Sequence, residues 1–375
     1  MPPIKHATLS ASSSERWIQC PPSALLNAQV EDTGSVFAEE GTAAHALCEA
    51  KVRRAAGISN DPDPHDEMYY NEEMEECAEG YKEYVMEQLS IASDPSLFIE
   101  QHLDFSEYVP QGFGTGDCVI ISDGVLHIID FKYGKGVEVN AEKNPQLMCY
   151  ALGALAIFSE LYDISQVRLT IYQPRKSHID TWETDVGGLI EWATRILKPA
   201  AELAIKGEGD FCAGDHCRFC KVKATCRARA EYNLTLARYD FAMPAELTQD
   251  EIEIILDRAT TAKAWLDDIQ EYALQQALAG AEYKRYKVVE GRSNRKYRDE
   301  QRAAELVLAA GYDPFKPKEI KGLTDMEKTV GKKKLSEILS DCIYKPKGKP
   351  VLVPITDKRP PYVSDAADDF KEGEV

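Results

Sequence analysis

A two-residue link, Asp123–Gly124, between two apolar segments constrains the fold more than any other feature of the sequence. Asp-Gly is a preferred sequence for the tight turn of a β-hairpin, and such a turn fixes which residues pair across the two strands. If Ser122 pairs with Val125, the numbers of paired residues sum to 247. We therefore predict a hairpin in which Asp117 lies opposite Asp130.

The predicted hairpin gathers charged side chains on one face. Directly opposed residues of an antiparallel pair have Cβ atoms about 4.5 to 5.5 Å apart, and Lys132 shares the face of Asp130 because side chains alternate along a strand. Two opposed carboxylates repel each other unless a cation such as Mg²⁺ lies between them. A lysine beside the metal could orient or deprotonate a water and stabilise phosphoryl transfer. An exposed cross-strand ion pair explains the same residues, and the hairpin alone does not separate the two interpretations.

The segments on either side of the hairpin favour a site. Residues 112–116 place three glycines before Asp117, which predicts a loop that a polymeric ligand can approach closely. Downstream, Gln146 and Tyr150 are four residues apart and so share one face of a predicted helix. Both side chains can hydrogen-bond to phosphate or to bases, although a simple helix-surface pair is the alternative.

Hydrophobic periodicity and turn residues predict an α/β fold, with a core at about residues 95–175 and helices on both sides. The predicted strands cover 97–103, 117–121, 125–132 and 167–172. The predicted helices cover 10–29 (interrupted at Cys20-Pro-Pro), 36–55, 70–92, 144–160, 186–206 and, after a capping box at Thr248, 248–279.

Composition and charge limit the classes of protein. The chain of 375 residues lacks an apolar stretch approaching the roughly 20 residues that span a bilayer, and its first residues lack the apolar core of a signal peptide. A cytoplasmic location is expected. The net charge of −19 argues against a protein that coats nucleic acid, but not against a nuclease whose site gathers carboxylates around a metal. Basic runs at 217–229, 284–302 and 316–349 are solvated surface or DNA contacts.

The cysteines divide into isolated and clustered residues. Five cysteines are isolated in the sequence, and such positions are typical of small core side chains. They are Cys48, Cys77, Cys118, Cys149 and Cys342. Four others fall close together: Cys212, Cys217, Cys220 and Cys226. In a reducing compartment such a cluster indicates a metal site rather than disulfides.

In their order along the chain, these motifs resemble the RecB-like branch of the PD-(D/E)XK nucleases, in its phage- and prophage-encoded form. The resemblance rests on Gly116-Asp117, Asp130-Phe131-Lys132 and Gln146 with Tyr150, and on an upstream helix that carries His45 after Gly41-Thr-Ala-Ala. It covers residues 8–230. It implies a restriction-endonuclease-like α/β core, a mixed central sheet flanked by helices, with helical additions.

The resemblance also implies roles for individual residues. Asp117, Asp130, His45 and the backbone carbonyl of Phe131 would bind Mg²⁺ or Mn²⁺, and Lys132 would be the catalytic lysine. Gln146 and Tyr150 would place the DNA strand near the metal. Glu100, on the preceding predicted strand, is a further candidate for this site.

Three late cysteines, Cys217, Cys220 and Cys226, need a fourth ligand to complete a metal site. Cys212 is the nearest candidate in sequence. The iron–sulfur members of the same branch, including AddB-type helicase–nucleases and a CRISPR-adaptation nuclease, join one early cysteine to three late ones. This resemblance favours Cys20 and implies a [4Fe–4S] cluster that links the ends of the nuclease domain. A structural Zn²⁺ is the alternative.

The expected function is therefore a Mg²⁺- or Mn²⁺-dependent DNA nuclease, most simply an exonuclease acting on ends or single strands. Recombination, replication or repair of phage or prophage DNA in a bacterial host is the expected context, with a recombinase, single-strand annealing protein or helicase as partner. A non-catalytic DNA-binding or assembly subunit on the same fold is the alternative. Residues 240–350 form a helical, basic region without an assigned role, and 351–375 a flexible acidic tail.

Overall fold

A computed structural model describes residues 7–30, 34, 36–66, 68–236 and 247–289. The chain divides into two compact units, Met1–Ala279 and Gly280–Val375, and every element below belongs to the first. Cys342, the basic run at 316–349, the predicted acidic tail and most of the run at 284–302 lie outside the described residues.

Five strands form one mixed sheet in the order β1-β2-β3-β4-β5. They are β1 (Ser96–Asp104), β2 (Phe113–Ser122), β3 (Val125–Phe131), β4 (Gln166–Gln173) and β5 (His178–Asp185). The β3–β4 pair is parallel and the other pairs are antiparallel. The chain is thus an α/β protein with a five-stranded mixed sheet flanked by helices, which confirms the predicted class.

Nine α-helices are present among the described residues. They are α1 (Ser14–Gln19), α2 (Ser23–Ala28), α3 (Val36–Ala55), α4 (Glu72–Ile91), α5 (Pro145–Phe158), α6 (Val186–Trp192), α7 (Lys198–Lys206), α8 (Arg227–Leu234) and α9 (Gln249–Leu278). The interruption at Cys20-Pro-Pro separates α1 from α2, and a π-helical turn, Ala193–Leu197, joins α6 to α7. No helix of the described residues is long and apolar enough to cross a bilayer.

The predicted hairpin register is confirmed. Ser122 pairs with Val125, and the ladder continues to Cys118 opposite Ile129. Asp123 and Gly124 have φ values of 52° and 76°, the left-handed conformations that this tight turn requires and that Asp and Gly tolerate best. The turn sequence therefore determines which face of β2 and β3 each side chain occupies.

Both faces of the sheet are covered. Helices α3 and α4 pack on one face around Phe131, Tyr81 and Tyr172. Helix α5, which forms the crossover between the parallel strands β3 and β4, packs on the other face together with the N-terminal helices and α7. Because the sheet is buried on both sides, its central strands are nearly continuous apolar runs.

The glycine-rich segment is strand and not the predicted loop. Strand β2 begins at Phe113, so Gly114 and Gly116 lie inside it. A Cβ atom on Gly114 would lie 2.7 Å from Cε1 of Tyr150, and one on Gly116 would lie 2.8 Å from Cδ1 of Leu103. These glycines are therefore required by close packing within the protein, where the sequence suggested room for a ligand.

Strand β5 was not predicted. Its half-buried positions include His178, Asp180 and Thr184, which are polar. As the strand at one edge of the sheet it pairs on one side only, so its sequence lacks the apolar alternation that indicates a buried strand.

A pair of helical glycines tests the packing of α5 on β1. A Cβ at Gly153 would lie 2.9 Å from Leu103 Cβ and 3.0 Å from the Leu103 carbonyl carbon, whereas one at Gly41 has no neighbour within 4 Å. Overpacking costs about 1–3 kcal/mol, against roughly 1 kcal/mol gained when alanine replaces glycine in a helix. We expect Gly153→Ala to lower the midpoint of thermal unfolding and Gly41→Ala to raise it. Shifts of the same sign and size in both variants would contradict the close contact.

Candidate active site

The candidate residues come from four elements, β2, β3, α3 and α5, of which the two helices pack on opposite faces of the sheet. Asp117 lies within β2, Asp130 is near the end of β3 and Lys132 follows that strand directly. Helix α5 starts beside them because Pro145 occupies its first turn and the Asn144 side chain accepts hydrogen bonds from the first free amides. This cap sets Gln146 in the first turn of the helix. His45 comes from the middle of α3.

A chain of polar contacts joins four of the predicted residues. The Lys132 ammonium lies 2.8 Å from Asp130 Oδ2 and donates to Gln146 Oε1 at 3.0 Å. The Gln146 amide donates to Asp130 Oδ1 at 3.2 Å and to the Tyr150 hydroxyl at 3.1 Å. Asp130 is only 2% exposed, so this arrangement supplies partners to a carboxylate that has almost no access to water.

A second set of ligand atoms converges on Asp117. His45 Nδ1 lies 3.2 Å from Asp117 Oδ1, and the Phe131 amide donates to Asp117 Oδ2 at 2.7 Å. One ligand atom each of His45, Glu100 and Asp117 lies within 4.8 Å of the other two. Glu100 therefore belongs to this group of side chains. Phe131 contacts Asp117 through its backbone N–H group, whereas the resemblance implied a role for its carbonyl oxygen.

The backbone at Glu100 explains how its carboxylate reaches His45. Glu100 has φ of 51°, a left-handed conformation that costs a non-glycine residue roughly 1–2 kcal/mol. The β1–β2 ladder pairs Ile99 with Cys118 and Gln101 with Gly116 but omits the position between them. Such strain in the middle of a strand is typical of functional sites. No pattern in the sequence indicates this conformation, which is why Glu100 carried little weight as a sequence candidate.

The register places Asp117 and Asp130 as neighbours on adjacent strands. Regular pairing of β2 with β3 stops at Cys118 and Ile129, and beyond it the Asp117 carboxylate itself bonds to the backbone of β3. Asp117 and Asp130 occupy the next positions along β2 and β3, where the regular ladder has ended. The Asp117 carboxylate lies among residues of α3 and α4, whereas Asp130 contacts Lys132 and, on α5, Gln146. The observed register agrees with neighbouring positions for the two aspartates, and a shared face for their side chains stays a prediction.

The two aspartates differ in their ionisation. Burial opposes ionisation of Asp117, but His45, Lys132 and the Phe131 amide hold its pKa below the usual range. Burial raises the pKa of Asp130, and the charge of Asp117 adds to this rise while Lys132 opposes it. The pKa of Asp130 is therefore sensitive to any further positive charge between the strands.

Burial and neighbouring charges also shift the pKa values of Glu100, His45 and Lys132. Burial and the nearby Asp117 charge raise the pKa of Glu100 to about 7. Burial works against protonation of His45 and Lys132, yet Asp117 and Asp130 respectively raise the pKa of each. The site thus contains three carboxyl groups and two cationic groups. A bound divalent cation would reduce the repulsion among the carboxylates.

The cysteine residues form a separate cluster. Cys20, Cys217 and Cys220 are buried, Cys226 is half-buried and Cys212 is exposed, and all five line one pocket. Cys20 precedes α2, whereas Cys217 and Cys220 lie in and just after a short 3₁₀ turn, Asp215–Phe219. The fold thus brings both candidates for the fourth ligand, Cys20 and Cys212, into one pocket with the three late cysteines.

Hydrogen bonds tie the N-terminal segment to the cysteine loop. The buried Asn27 amide donates to Cys220 Sγ at 3.3 Å and accepts from the Lys221 amide at 2.7 Å. His216 Nε2 lies 2.9 Å from the Cys212 carbonyl oxygen. Burial works against the charged form of His216, but the nearby Cys20 side chain and the Cys212 carbonyl raise its pKa. Donors directed at sulfur stabilise thiolates and are common around metal-bound cysteines.

The chain is distantly similar to a protein of known structure. The protein of the structure titled "Crystal structure of SSO0001" is 15% identical, and the alignment covers 57% of this chain and 96% of that one with a TM-score of 0.22. A likeness this weak carries no argument about fold or function.

Comparison with protein-family models gives a match over most of the sequence. The model described as "Protein of unknown function (DUF2800)" matches residues 6–360. The chain therefore belongs to the DUF2800 family.

Proposed function

We propose that this protein is a Mg²⁺- or Mn²⁺-dependent DNA nuclease with a RecB-like PD-(D/E)XK core. The observation that carries the proposal is the convergence of Asp117, Asp130 and Lys132 with Gln146 at the edge of a buried sheet. Buried neighbouring carboxylates are costly, and a structural role alone gives no reason to retain two of them beside a lysine. Metal-dependent phosphodiester hydrolysis uses this combination of metal ligands and a cation.

The available side chains suit the proposed metal. His45, Glu100 and Asp117 offer hard nitrogen and oxygen ligands close to one another, and Asp130 lies on the neighbouring strand. Mg²⁺ and Mn²⁺ prefer oxygen ligands of this kind, with waters and phosphate oxygens completing the shell. His45, Asp117, Asp130 and the Phe131 carbonyl would hold the ion, with Glu100 as an additional ligand. When bound, it would polarise the scissile phosphate and acidify an attacking water.

The protein side chains then have distinct tasks. Lys132 is a cation at neutral pH, because the nearby aspartates raise its pKa although burial opposes the charge. It can therefore donate to a phosphate oxygen and stabilise the negative charge that develops during hydrolysis. Gln146 contacts Lys132, Asp130 and Tyr150 at once. Gln146 is placed to hold the Lys132 ammonium and the Asp130 carboxylate in a fixed position relative to each other while a DNA strand binds against α5.

Substitution of either central residue should abolish cleavage. We expect Asp130→Ala and Lys132→Ala each to lower metal-dependent hydrolysis of end-labelled DNA by at least about 100-fold, since each removes a group that acts on the reacting phosphate. The substrates are single- and double-stranded DNA labelled at either end, with Mg²⁺, Mn²⁺ or chelator.

A nearby lysine supplies the matched control. Lys135 is exposed and pairs with Glu73, outside the polar chain around Asp130, so Lys135→Ala should retain cleavage. Full cleavage by both the Asp130 and the Lys132 variants would contradict the assignment. Binding of DNA without cleavage by the unmodified protein in every metal would instead support the alternative, a non-catalytic DNA-binding or assembly subunit.

We further propose that Cys20, Cys217, Cys220 and Cys226 bind a [4Fe–4S] cluster. One early and three late cysteines line the same pocket, which supports the cluster that the resemblance implies. A single Zn²⁺ is the alternative, because four thiolates can hold either metal group.

Two cysteine variants distinguish the ligand sets. Anaerobically purified protein should contain about four iron and four sulfide per chain, measured by chemical analysis of the monodisperse fraction. Cys20→Ser should lose most of this iron because it removes a ligand, whereas Cys212→Ser should retain it. Stoichiometric zinc without iron, or the reverse response of the two variants, would contradict the proposed cluster.

A further inference from the structure

A groove of about 840 Å³ lies beside the cysteine loop, and neither the metal site nor the cysteine cluster accounts for it. Its walls come from the segment before α1, the start of β2 and the loop between Cys217 and Cys226. The residues that line the groove include Thr8, Ser12, Gln111, Phe113, Phe219 and Lys221. We refer to this feature as the N-terminal groove.

The N-terminal groove differs in charge from the rest of the chain. The protein has 63 acidic against 44 basic side chains, yet the groove is lined by Arg16 and Lys221 and by no aspartate or glutamate. Hydroxyl groups of Thr8 and Ser12 supply neutral hydrogen-bond donors along the same wall. The Lys221 ammonium donates to the Val30 carbonyl at 3.2 Å. Such a lining accepts a polyanion that most of the surface would repel.

Two aromatic rings border the same groove. Phe219 is 70% exposed, although it lies between two buried cysteines, and Phe113 is half-buried at the start of β2. The exposed ring of Phe219 offers a flat apolar surface on which a base can stack. Stacked bases are a natural occupant, because every base has a flat face and the backbone phosphates would meet the cationic wall.

Packed residues connect the wall of the groove to the candidate active site. Phe113 is followed by Gly114, which packs against the Tyr150 ring. The Tyr150 hydroxyl accepts from Gln146, which in turn contacts Asp130 and Lys132.

We propose that the N-terminal groove binds single-stranded DNA by base stacking on Phe219 and Phe113. This inference deepens the proposed function, on which it rests for the fate of the bound DNA but not for its binding. A duplex does not fit the same chemistry, because its base faces are already stacked on each other and cannot meet the rings. The loop that carries the cysteines thereby also presents a substrate-binding side chain.

Strand binding can be measured apart from cleavage. Fluorescence anisotropy of a labelled oligothymidine and of a blunt duplex of equal length, with chelator and full-length protein, gives the two affinities. Phe219→Ala should weaken binding of the single strand about tenfold. Gln111→Glu, which adds a negative charge to the groove without changing its shape, should also weaken it. The single strand should bind more tightly than the duplex to the unmodified protein.

Matched controls lie on other surfaces. Phe37 is 82% exposed at the start of α3, and Gln270 is exposed on α9, so Phe37→Ala and Gln270→Glu should leave the affinity unchanged. The iron content of each variant shows whether the cysteine loop is intact.

The possible outcomes separate this inference from the proposed function. Unchanged affinity in both groove variants, absence of single-strand binding, or a preference for the duplex would each overturn the groove assignment, and cleavage by the unmodified protein would still support a nuclease. Conversely, groove-dependent binding without cleavage in Mg²⁺ or Mn²⁺ would leave the groove assigned and refute the nuclease.

Discussion

The pairing of Ser122 with Val125 across the Asp123–Gly124 turn determines where the functional side chains of β2 and β3 lie. A slip of one residue would move Asp117 to the other face of the sheet, because side chains alternate with a period of two. In the observed register Asp117 lies beside β3 and accepts a hydrogen bond from the Phe131 amide. The turn thus determines the register, and the register determines where the carboxylates lie.

That geometry concentrates negative charge in a buried place. Asp117 lies near both Glu100 and Asp130, and His45 and Lys132 are the cationic groups that lower the repulsion among these carboxylates. Burial together with the charge of Asp117 raises the pKa of Asp130 and of Glu100. Glu100 also has a left-handed backbone conformation. Local features of this kind, which lower stability without serving the packing, are expected where a protein prepares a site for a ligand.

Sequence reasoning reached the parts of the site that follow from local rules. The Asp-Gly turn gave the register, and the four-residue spacing of Gln146 and Tyr150 gave a shared helix face, confirmed by their mutual hydrogen bond. It misread the glycines of residues 112–116, because their reason is contact with Tyr150 and Leu103, which are distant in sequence. It missed β5 because an edge strand with polar half-buried positions has no apolar alternation. The position of Glu100 depends on a strained φ that no pattern encodes.

The central claim is that Asp117 and Asp130 share one divalent ion, and anomalous diffraction from crystals soaked in Mn²⁺ tests it most directly. The account predicts a single strong anomalous peak within coordination distance of carboxylate oxygens of both aspartates, with His45 on the same ion. A peak bound elsewhere, or an occupied site that leaves Asp130 paired only with Lys132 and Gln146, would contradict the account.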